Sequence, residues 1–123
     1  MESELPAQDP AHSIPDLGVI DVNVVRRSGG SDLFIVVASP LAGDEYSLSR
    51  LLRKIEAYLE FTNSSEFIEE SGLPSPENTR IVVKLHPESS PLAAELVLRN
   101  VAWALNNGVT LAVEPLVEHL PVQ

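Results

Sequence analysis

The chain has 123 residues, a length that suits one domain around one core. It carries 18 acidic and 8 basic residues, for a formal net charge of −10, and this negative field argues against a nucleic-acid partner. It holds no cysteine, which excludes disulfides, a thiolate nucleophile and a Cys-based zinc site, and no apolar run approaches the ~20 residues that cross a bilayer, so no membrane partner is expected.

Residues 1–17 contain Pro6, Pro10 and Pro15 among polar residues and read as a flexible leader. The domain is expected over residues 18–114. Ile20, Val22 and Val24 alternate with Asp21 and Asn23, which predicts a strand with its valines buried. Ser28-Gly29-Gly30-Ser31-Asp32 is a turn cluster of hairpin length. Its Ser and Gly residues suggest a phosphate cradle only superficially. The Gly-Lys-Ser/Thr ending is missing, and the turn joins two strands rather than a strand and a helix. Leu33 to Ala38 is continuously apolar, as in a strand covered on both faces.

From about Ser47 to Phe61, the residues Leu48, Leu51, Leu52, Ile55, Tyr58 and Leu59 form one helical stripe. Arg50, Arg53, Lys54, Glu56 and Glu60 are expected on the solvent side. Ser65 to Ser71 can form two helical turns ending at Gly72, before Pro74 and Pro76. Ile81, Val83 and Leu85 predict a third strand, which His86-Pro87 ends.

Ser90 then caps a helix with Pro91 at its first position, where the missing N–H costs nothing. Ala94, Val97, Leu98, Val101, Ala102 and Leu105 share one face, and Asn106-Asn107-Gly108 stops the helix. Val109, Leu111 and Val113 give the last strand, and residues 115–123 read as a tail. The order β-β-α-β-α-β predicts an α+β two-layer sandwich, with a four-stranded mixed sheet and two helices on one face. Its first two strands form an antiparallel hairpin, and its last βαβ unit is parallel.

The run Leu51-Leu52-Arg53-Lys54-Ile55-Glu56-Ala57-Tyr58-Leu59-Glu60-Phe61 resembles the Leu-x-x-Lys-Ile-x-x-Tyr-Leu-x-Phe helix of a family of small uncharacterised bacterial proteins, a domain of unknown function. Ile20-Asp21 in the first strand is similar too, and the resemblance spans roughly Gly18 to Glu114. It implies a fold and no activity, so no catalytic residue is carried over. A bacterial cytoplasm is the expected location, since acidic Met1-Glu2-Ser3-Glu4 has no apolar segment after it that would make a secretory signal.

His12 and His119 lie in the tails, which leaves His86 as the histidine of the folded part. On a sheet face left open, Asp21, Asn23, Lys84, His86, Thr110 and Glu114 would point the same way. His86 with Asp21 or Glu114 is therefore the candidate catalytic constellation, a general base and its orienting carboxylate. A solvated polar sheet face explains the same residues. No two-ligand metal spacing occurs, and no cofactor motif is present. Leu92, Leu96, Arg99 and Trp103 form a side stripe on the last helix and are candidate interface residues, or else core.

The leading expectation is a small non-enzymatic binding or regulatory module, a homodimer that buries apolar area on the open sheet face. An acidic inhibitor of a basic protein partner, using Glu66, Glu69, Glu70 and Glu77, is the alternative. An enzyme built on His86 is the third.

Overall fold

A computed structural model describes residues 5–27 and 29–117 of the chain. The expected positions Ser28 and His119, with the rest of the tail from residue 118, lie outside the described residues. The elements run β1 (Val22–Val25), β2 (Ser31–Val37), α1 (Glu45–Thr62), α2 (Ser65–Ser71), β3 (Thr79–Leu85), α3 (Pro91–Arg99), α4 (Val101–Asn106) and β4 (Thr110–Pro115).

Strands lie in the order β1-β2-β3-β4. β1 is antiparallel to β2, and β2, β3 and β4 are parallel, so the sheet is mixed as expected. Leu33, Ile35 and Val37 of β2, Ile81, Val83 and Leu85 of β3, and Leu111 of β4 face a helical layer. From that layer Leu51, Ile55 and Leu59 of α1, Phe67 of α2, Ala93 and Val97 of α3, and Ala104 of α4 complete the core. Each such large side chain removed from water contributes about 1.5–3 kcal/mol.

Local chemistry sets the ends of these elements. Asp44 caps α1 by accepting the Ser47 N–H, Ser64 caps α2 through Phe67, and Ser90 caps α3 through Leu92 with Pro91 following. Gly108 has φ of +81°, and a Cβ there would come within 2.9 Å of the Pro74 carbonyl oxygen, so only glycine fits.

Five expectations need correction. The single helix from residue 90 to 107 is broken at Asn100. Its side-chain amide donates to the Leu96 carbonyl (2.7 Å), competing with the helical ladder four residues back. The buried face of this segment is rotated toward Ala93, Val97 and Ala104, which leaves Leu98 and Leu105 exposed. The small residues let the backbone approach the sheet, while Leu96 and Trp103 fill the sides.

In β1 the pleat is inverted. Val22 pairs with Phe34 and Val24 with Asp32, on the face away from the helices, whereas Asn23 pairs with Leu33 on the helix side. Ile20 still packs on the core, so the alternation changes phase at Asp21. There the Asp21 carboxylate, not a strand carbonyl, accepts the Val36 N–H (3.0 Å).

Arg50 and Lys54, expected on the solvent side of α1, are buried, with 0% and 2% of their surface accessible. The reason is the fifth correction. Residues 5–17, expected as a leader outside the domain, form a strap across α1. Gln8 bridges to Asp16, the Leu17 N–H donates to the Ala7 carbonyl, and Ile14 and Leu17 belong to the core.

Candidate functional site

The sheet face opposite the helices carries three rows that register sets across the strands. The middle row is Val22, Phe34, Val82 and Ala112. One flanking row is Val24, Asp32, Arg80 and Thr110, and the other is Val36, Lys84 and Glu114. Charges on the flanks pair along their own rows. Asp32 accepts from Arg26 (2.6 Å) and Arg80 (3.4 Å), and Lys84 donates to Glu114 (2.8 Å) while its ammonium lies 5.8 Å from the Phe34 ring centroid. The Lys84 ammonium, by hydrogen bond and charge, holds the Glu114 carboxyl below the usual carboxylate range. Among the described residues no element covers this face. Val22 and Val24 expose 41% and 47% of their surface at the β1 edge, while Val82 at the centre of the row is buried.

A second constellation lies under the strap. The Arg50 guanidinium donates to the Ile14 carbonyl through Nε (2.9 Å) and Nη2 (2.8 Å), and to the Pro6 carbonyl through Nη1. One turn on, the Lys54 ammonium donates to the Asp16 carbonyl and to the Asp21 carboxylate (3.2 Å). After a further turn the Tyr58 hydroxyl accepts from the Asp21 N–H (2.7 Å) and donates to the Phe34 carbonyl (2.7 Å). Burial pushes the Tyr58 phenol well above its ordinary range, with the Asp21 charge adding to the rise against the Asp21 backbone bond. Near the start of α1, Tyr46 donates to Asp9 (2.6 Å) and Ser47 meets His12 Nε2 (2.9 Å). Between strap and sheet, His12, Ser39, Asp21 and Lys54 border a cavity of about 480 Å³ at the carboxyl end of β2.

The catalytic constellation read from sequence is not assembled. Asp21 is engaged by the Val36 N–H and Lys54 at the β1–β2 side. His86 Nδ1 accepts the Glu88 N–H (3.0 Å) in its own turn. Glu114 is paired with Lys84. His86 and Glu114 do border one depression of about 240 Å³ at the carboxyl ends of β3 and β4, yet no hydrogen bond joins them. Asn23, expected on the open face, is turned to the helix side, and its buried Oδ1 has no hydrogen-bond partner there. Among the described residues no group of three His, Asp or Glu side chains is placed to hold a metal ion.

The candidate interface stripe divides. Leu96 and Trp103 pack on the core, and Leu92 and Arg99 stay exposed. Sequence reasoning missed Arg50, Lys54 and His12 as tertiary anchors. The available signal was the pair Ile14 and Leu17, an apolar spacing within the polar leader, opposite cations one helical turn apart.

No family model matches this chain, and no curated protein or solved structure matches it either. No described helix is long and apolar enough to cross a membrane.

Proposed function

We propose that the chain is a small binding module that docks a second copy of itself on the uncovered sheet face. The middle row Val22, Phe34, Val82 and Ala112 carries this reading, because it runs across all four strands and, among the described residues, no element lies over it. Charge favours self-docking at this face over any other. The molecule has a net charge of −10, so two copies repel on average. This face holds three cations (Arg26, Arg80, Lys84) and two anions (Asp32, Glu114), a balance of +1. Two copies meeting here avoid the repulsion that their other surfaces impose. Every one of these ions already has a partner within its own flank, so no unpaired ion need be buried.

A face four strands wide, at about 4.8 Å per strand and 3.3 Å per residue, covers roughly 400 Å². That area is small for a dimer, so a dissociation constant of about 1–100 µM is expected. Sedimentation over about that concentration range should show monomer passing to dimer, and V22K/V24K should stay monomeric with an unchanged circular dichroism spectrum. Wild-type protein that is monomeric across the whole range would overturn the reading.

A second reading is favoured by one observation. Glu66, Glu69 and Glu70 of α2 are exposed around a hollow floored by Phe61. Docking of a basic protein there would weaken with salt and would be lost in E66K/E69K. Native-lysate capture that is insensitive to both changes would remove it.

A further inference from the structure

His12 sits where strap and helix meet, and its two ring nitrogens have different duties. Nδ1 accepts the Ile14 N–H (2.9 Å), which only an unprotonated nitrogen can do. Nε2 therefore carries the hydrogen in the neutral ring and donates to Ser47 Oγ (2.9 Å). The Tyr46 ring meets the imidazole edge-on at 5.4 Å. Thus one neutral imidazole ties the strap's own fold to the first turn of α1.

We propose that residues 5–17 are a pH-sensitive latch, held more firmly over α1 while His12 is neutral and loosened when it is protonated. Protonation places a hydrogen on Nδ1 facing the Ile14 N–H, two donors with no acceptor between them. Charged groups face the ring from three sides. Asp44, in the loop before α1, attracts an imidazolium and is itself held low by its bonds from Ser47. Arg50 of α1, with its guanidinium 5.8 Å from the Tyr46 ring centroid, repels one. Asp9 of the strap is engaged by the Tyr46 hydroxyl. The charged ring is drawn toward Asp44 and away from Ile14, which takes the strap's anchor with it. An imidazolium has no lone pair left on Nδ1, so acid removes the acceptor that the Ile14 N–H uses in the closed strap. Opening bares Ile14, Arg50 and Lys54, which the strap otherwise seals from water.

The fold supplies its own control. His86 Nδ1 accepts the Glu88 N–H in the same two-residue turn, but at an exposed corner between β3 and α3. Amide-exchange protection, corrected for intrinsic rates, tests the latch on the whole chain. Between about pH 7.5 and 5.5 the Ile14 amide and its strap neighbours should lose about five- to tenfold in protection, the weight of one hydrogen bond, while β3 amides hold. The midpoint of that loss should coincide with the titration of the His12 ring signals in NMR spectra of the wild-type protein. H12A should show the lowered protection at both pH values, and H86A should behave as wild type. Equal wild-type protection at both pH values, a midpoint apart from the His12 titration, or a pH-dependent loss persisting in H12A would overturn the proposal.

Discussion

Tyr58 satisfies two backbone groups that neither helix nor ladder reaches, the Asp21 N–H and the Phe34 carbonyl. Removing its hydroxyl strands both, so Y58F should cost about 1–3 kcal/mol in chemical denaturation. The raised phenol gives a sign that can be checked. Its folded value lies above the unfolded value of about 10, so its contribution is complete below that pH and is lost as pH rises through it. Wild type should therefore lose stability above about pH 10 more steeply than Y58F, and equal slopes would refute the burial. Glu114 behaves oppositely. Its carboxyl is lowered by Lys84, so the pair stabilises above the unfolded value of about 4.3 and fades as pH falls through the folded one. Any gap in melting temperature between wild type and E114Q should close in acid. A gap that widens there would be against the pairing. Arg50 and Lys54 escaped the sequence reading because a helical pattern counts them as polar, whereas their long stems bury readily once carbonyls meet their heads.

The strap is the element that decides how this domain is bounded. Ile14 is 2% exposed within the core cluster, so I14A should cost about 2–5 kcal/mol if the strap is part of the cooperative unit. A loss near zero would mean that residues 5–17 ride on a domain that folds without them. The strands and helices themselves were legible wherever one period held over enough residues: β2, β3, β4 and α1 lie close to where alternation and the 3.6-residue stripe placed them. Phase was less legible. The Asn100 amide and the Asp21 carboxylate each replace a backbone partner, which breaks a helix in one case and inverts a pleat in the other. A periodic pattern cannot register a side chain that substitutes for main chain.

The whole molecule carries its charge unevenly, near balance on the open sheet face and strongly negative elsewhere. Self-repulsion of this kind destabilises the compact state and is screened within about 10 Å at 0.1 M salt. Raising sodium chloride from about 0.02 to 0.3 M should therefore raise the melting temperature, and a fall would show that the ion pairs, six among the described residues, outweigh the net charge. The same unevenness bears on the candidate site. His86 and Glu114 border one depression, but His86, Asp21 and Glu114 each bond to a separate partner.

Sequence alone determined the layer architecture, the mixed sheet, the caps of α3 and the glycine at position 108, because each follows from local periodicity or from a conformation that only certain residues adopt. The tertiary structure alone decided that the amino-terminal segment lies over Arg50 and Lys54, which way β1 presents its valines, and which polar side chains meet. Those outcomes depend on carbonyls and carboxylates brought from dozens of residues away, and no local spacing encodes such encounters.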